Sequence, residues 1–144
     1  MRLRLAALLL GLCAATTAQA QDTVTLTPKE KTAILCAERI NQVHDGLEGA
    51  TVQATGAKLE RMKADMVALD RLAKLNDVNL PVYPSALPAL YAVLRAQAAL
   101  LEADTVTAEA SERWKDDTAP MVRLVRQCEA GLGAKVLGPA FGVW

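Results

Sequence analysis

Apolar residues recur along this chain at steps of three and four through four successive stretches, the spacing of one face of an α-helix. In the first stretch they are Ala33, Cys36, Ala37, Ile40, Val43 and Leu47. Thr27 as N-cap, Pro28 at the first helical position and Glu30 three residues after the cap predict a capping box at its start. Asp45-Gly46 and Gly49 predict its end. A second helix is expected from about Thr51 to Asp77, with Val52, Leu59, Met62, Met66, Leu69 and Ala73 on its inner stripe. Arg61 with Asp65, and Asp70 with Lys74, are oppositely charged neighbours one turn apart on it.

Asn79, Pro81 and Pro84 forbid a continuous helix and predict an extended turn. Ser85 caps a third helix, whose inner face would carry Leu87, Leu90, Tyr91, Leu94, Ala98 and Leu101, widened by Val93 and Leu100. Its only charges are Arg95, Glu102 and Asp104, so it should be the most buried of the four. The fourth stretch begins near Thr105 or Thr107 and stops near Gly131 or Gly133, with Ala110, Trp114, Met121, Val125 and Cys128 on one face. Pro120 either kinks this helix or sits in the first turn of a fresh one capped by Thr118. The pattern therefore predicts an all-α chain, a single four-helix bundle-like domain with antiparallel neighbours. Its core would gather Ile40, Leu59, Met66, Leu94 and Val125. An apolar, Gly-rich tail follows, residues 134–144, expected either to lie on the bundle or to present Phe141 and Trp144 to a partner.

The N-terminus adds an address. Arg2 and Arg4 precede an uncharged apolar run, Leu5 to Ala15, and Ala18-Gln19-Ala20 is a small-x-small cleavage site. Residues 1–20 thus read as a signal peptide that leaves a helical domain over 21–133 and the tail, exported to the periplasm or the medium. The run is too short to span a bilayer and no second one follows, so no transmembrane helix is expected in the mature chain. Without Arg2 and Arg4, the 16 basic residues fall to 14 against 16 acidic ones. That near-balance offers neither the basic stripe of a nucleic-acid binder nor a polybasic membrane patch. Cys13 leaves with the peptide, and Cys36 and Cys128 remain as an even pair in an oxidising compartment. One lies early in the first helix and the other late in the fourth, both in phase with the apolar stripe. An up-down bundle brings them together as a disulfide.

Candidate chemistry is sparse. His44 is the one histidine, and with Glu48 a turn away it offers two metal ligands from one face. Zinc normally takes three or four ligands, and a histidine at a helix end also serves simply to bond the last carbonyls. Met62 and Met66 are thioethers one turn apart, suited to copper or haem, yet seam methionines usually fill cores. The acidic stretch Glu109, Glu112, Asp116 and Asp117 around Trp114 reads as a solvated helix face. No Gly-rich phosphate loop, G-x-S-x-G or H-E-x-x-H occurs. The expected function is therefore non-enzymatic and needs no cofactor. It is contact with another envelope protein, as an inhibitor, immunity-type or accessory protein. The alternative is a carrier of a small ligand, haem or metal inside the bundle.

Overall fold

The computed structural model of the protein describes residues 23–104 and 119–144. The expected signal peptide, the acidic stretch, Thr118 and the first part of the fourth segment lie outside the described residues. Within them every regular element is helical: α1 (Pro28–Thr51), α2 (Gly56–Asp77), a short 3-10 turn (Pro84–Ala86) leading into α3 (Leu87–Asp104), and α4 (Ala119–Gly131).

α1 starts where its cap predicts. The Glu30 N–H donates to Thr27 Oγ1 at 3.2 Å and the Thr27 N–H donates to a Glu30 carboxylate oxygen at 2.7 Å. The helix does not stop at Gly46 or Gly49, however, but runs on to Thr51. Each glycine costs about 1 kcal/mol in a helix interior. Burial of Val43 and Leu47 against α2 and α4 outweighs that, because a break at Gly46 would withdraw Leu47 from the core. The chain turns at 52–55 instead, and Gly56 enters α2 with φ +59°, a left-handed backbone that glycine adopts without steric cost. Val52, expected on the inner stripe of α2, lies in this turn and is exposed.

α1 occupies the centre, and α2, α3 and α4 each pack on it. The main core joins Ile40, Val43 and Leu47 of α1 to Met62, Leu69 and Leu72 of α2, Met121 and Val125 of α4, and Leu137 and Phe141 of the tail. Two cross-links tie α2 and α4 to the first half of α1. The buried Asn76 near the end of α2 donates from Nδ2 to the Ala33 carbonyl near the start of α1, at 2.7 Å. Cys36 and Cys128 form the predicted intramolecular disulfide, with Cα atoms 5.7 Å apart.

α3 departs from expectation. Leu87, Tyr91 and Leu100 are exposed, Leu90, Val93 and Leu94 are half-buried, and no side chain from 87 to 100 is fully buried. The reason lies in α1. Its long stripe Cys36-Ile40-Val43-Leu47 goes to α2 and α4. Ile34, extended by Leu26 ahead of the helix, and Ala86 of the 3-10 turn are the buried residues left for α3, and they form a second, small cluster. The expected single core is correspondingly divided. Ile40 and Val125 are in the main cluster and Met66 packs against it, Leu94 packs against the second, and Leu59 is half-buried outside both.

The expected ion pairs of α2 do not form either. The ion pairs among the described residues are His44 with Asp45, His44 with Asp70, and Lys63 with Glu60. Asp65 is engaged by the tail, accepting from the Gly142 N–H at 3.1 Å and from Trp144 Nε1 at 2.8 Å. The tail is further held by Glu129, whose carboxylate accepts the Val136 and Leu137 N–H groups at 2.7 and 2.6 Å. Arg126 donates to the Gly138 carbonyl at 2.9 Å. A stretch without regular structure thus has its backbone polar groups satisfied, which lets it bury Leu137 and Phe141.

Candidate functional site: the groove beside α3

Because α3 rests on α1 by a narrow contact, a groove opens along its side. Val24 to Leu26 form one end, Lys31, Leu35 and Arg39 of α1 the floor, and α3 one wall, with Leu124 of α4 at the far side. The cavity measures about 730 Å³, within the range of about 300–1,000 Å³ typical of ligand pockets. Its origin is legible in α3. Ala89, Ala92 and Ala96 face it at steps of three and four, and a methyl group cannot fill the space to Leu35. Val93 and Leu100 supply larger apolar surface. On the opposite flank of α3, a smaller cavity of about 310 Å³ is bounded by Tyr91, Leu94 and Arg95 against Glu38 and Gln42 of α1.

The charge in the main groove is one-sided. Among the described residues Lys31 and Arg39 line it and no carboxylate does. Neither cation forms an ion pair among the described residues. The Arg39 Nε is covered and has no hydrogen-bond acceptor there. Arg39 also borders a more polar cavity of about 450 Å³ beside the disulfide, lined by Asn76, Asn79 and Gln127. Its guanidinium therefore stands at the boundary between an apolar groove and a polar pocket.

The residues singled out by sequence fall elsewhere. His44 is held between helices, with Nε2 3.5 Å from an Asp70 oxygen on α2 and Nδ1 3.9 Å from Asp45. Ligand atoms of His44, Asp45 and Glu48 lie within 4.8 Å of one another. Two of the three are exposed carboxylates, and Asp70 competes for the ring, so the set is open and loosely bounded. Met62 is buried in the main core and Met66 packs against it, both among aliphatic side chains. Phe141 is 3% exposed. Its ring stacks edge-on against Trp144 at 6.3 Å and lies under the Arg126 guanidinium at 5.6 Å. Phe141 is thus a core residue rather than a surface for a partner, and Trp144, half-buried and bonded to Asp65, anchors the tail. Cys36 and Cys128, 2% and 3% exposed, are structural. Lys31, Arg39 and the α3 alanines were not singled out. The alanine spacing on an almost uncharged helix is the signal that points to them.

No family profile, curated protein or solved structure matches this chain. No helix of the described residues is long and apolar enough to cross a membrane.

Proposed function

We propose that this chain is an exported, non-enzymatic protein of the cell envelope that acts by binding, with α3 and its flanking grooves as the binding surface. The observation that carries the reading is that a nearly uncharged helix packs on one long neighbour and leaves Leu87, Tyr91 and Leu100 exposed. Apolar side chains left exposed on both flanks of one helix are the kind of surface that marks an interaction site. The non-enzymatic part rests on the motif content of the sequence, and export rests on the charged, apolar and small-residue order of residues 1–20. The occupant favoured by the outer face of α3 is a partner protein, as for an inhibitor, immunity-type or accessory protein.

Photocrosslinking in the native envelope tests this. A crosslinker at Tyr91 or Leu100 should give one discrete adduct that a crosslinker at Val67, exposed on α2, does not give. Equal or absent adducts at all three positions would defeat the reading. A second reading, a carrier of a small ligand, is favoured by a different observation: the groove beside α3 is lined mostly by apolar side chains and flanked by two cations without ion-pair partners among the described residues.

A further inference from the structure

We infer that the groove between the N-terminal segment, α1 and α3 binds a single-chain anionic amphiphile, a long-chain carboxylate, with its acyl chain along the α3 alanines and its head at Arg39. The inference rests on the carrier reading and adds the chemical class of the ligand.

Three features converge on it. The first is shape. The groove follows α3 from Ala89 to Leu100, a rise of roughly 16 Å at 1.5 Å per residue. A trench of that length, walled by Ala92, Ala96 and Leu100 on one side and Leu35 on the other, suits one extended apolar chain. The second is charge. Among the described residues Lys31 and Arg39 line the groove and no acid does, so an anion entering it meets attraction from both. The third is the boundary position of Arg39. Arg39 lines both the apolar groove and the polar cavity of Asn79 and Gln127, and its Nε has no acceptor among the described residues. A carboxylate head beside it accepts charge-assisted, fork-like hydrogen bonds from the guanidinium, the geometry in which arginine exceeds lysine. Lys31, exposed eight residues earlier on α1, stands roughly 12 Å away along the helix axis and raises the local concentration of anions at the open end.

Fluorescence of cis-parinaric acid, a conjugated long-chain carboxylate, tests the inference on the mature full-length chain, with palmitate and methyl palmitate as competitors. The wild type should bind the probe saturably, and palmitate should displace it more effectively than the uncharged ester. Arg39→Gln should weaken palmitate about tenfold, the size of one charge-assisted hydrogen bond, and leave the ester unchanged. Lys31→Gln should have a smaller effect. Ala96→Trp fills the trench and should abolish binding of both acid and ester. Should that variant fail to fold by circular dichroism, Ala92→Met narrows the same wall. Equal displacement by acid and ester, with Arg39→Gln indistinguishable from wild type, would overturn the anionic class while leaving the carrier reading standing. Absence of saturable binding by acid and ester alike would overturn both.

Discussion

Replacing both bridged cysteines, Cys36→Ala with Cys128→Ala, tests how the first and last helices are held together. The bond closes a loop spanning 92 residues. Cross-linking a loop of that length removes chain entropy from the unfolded state equivalent to about 4.6 kcal/mol at 25 °C. Both sulfurs are buried between α1 and α4, so truncation to alanine also leaves a small void and adds to the loss. A domain of this size has about 5–15 kcal/mol of total stability, so the variant should be folded but marginal. Urea unfolding of the oxidised mature protein, followed by far-UV circular dichroism, measures the difference. With an m-value of about 1–3 kcal/mol/M, the midpoint should fall by about 1.5 M or more. A midpoint within about 0.3 M of wild type would refute the argument, because the bond would then constrain nothing in the unfolded chain. Two reactive thiols per molecule in the unfolded, unreduced wild type would refute it more directly.

Three further outcomes follow from the same packing. Leu69→Ala, fully buried in the main core, should cost about 2–5 kcal/mol, while Leu94→Ala, half-buried beneath α3, should cost less than about 2; equal losses by urea titration would mean that α3 is locked into the same core. Asp65→Ala removes the acceptor of the Gly142 N–H and Trp144 Nε1 bonds. It should cost about 1–3 kcal/mol and shift Trp144 emission to the red in a Trp114→Phe background, whereas unchanged emission would show that the tail docks without it. Glu30 is held below its ordinary pKa of 4.5, chiefly by the bond from the Thr27 backbone; desolvation opposes this, and weaker bonds from the Tyr83 and Thr27 side chains add to the lowering. A lowered folded pKa means that its contribution is fully present above the unfolded value and is lost as pH falls through the folded one. Protection factors of the amides at the start of α1, which correct for the pH dependence of intrinsic exchange, should therefore fall below about pH 4.5 in the wild type, and Glu30→Gln should flatten that dependence.

The local elements were legible because their signals are local. Thr27, Pro28 and Glu30 specify the start of α1 within one turn of chain, and the prolines at 81 and 84 separate α2 from α3 by steric exclusion alone. The disulfide was legible for a related reason: helix phase and antiparallel order suffice to bring positions 36 and 128 together. The groove beside α3 was not. Its walls come from alanines that carry no polar signal, and Arg39 is one of several arginines until its neighbours across space are known. The candidates that did stand out, Met62, Met66 and Phe141, stood out for chemical rarity, and the core absorbs all three.

By itself, then, the sequence determined which of the described stretches are helical, where the first of them begins, and which cysteines pair. These follow from hydrogen bonding, backbone sterics and periodicity within a few turns of chain. Tertiary structure alone decided which apolar faces find partners. The three- and four-residue pattern of α3 is as regular as that of α1, but a pattern records only that a face is apolar and not whether enough apolar surface stands opposite to cover it. α1 offers one long stripe, which α2, α4 and the tail occupy. α3 is left with the small Leu26, Ile34 and Ala86 patch, and its remaining surface stays open to solvent. Likewise Asp65 and Asp70 were free, on sequence, to pair along their own helix. Folding offered Asp65 the indole and backbone N–H of the tail, and it offered Asp70 the ring of His44 across α1. For Asp65, hydrogen bonds fixed by packed neighbours prevail over an exposed ion pair worth only a few tenths of a kcal/mol.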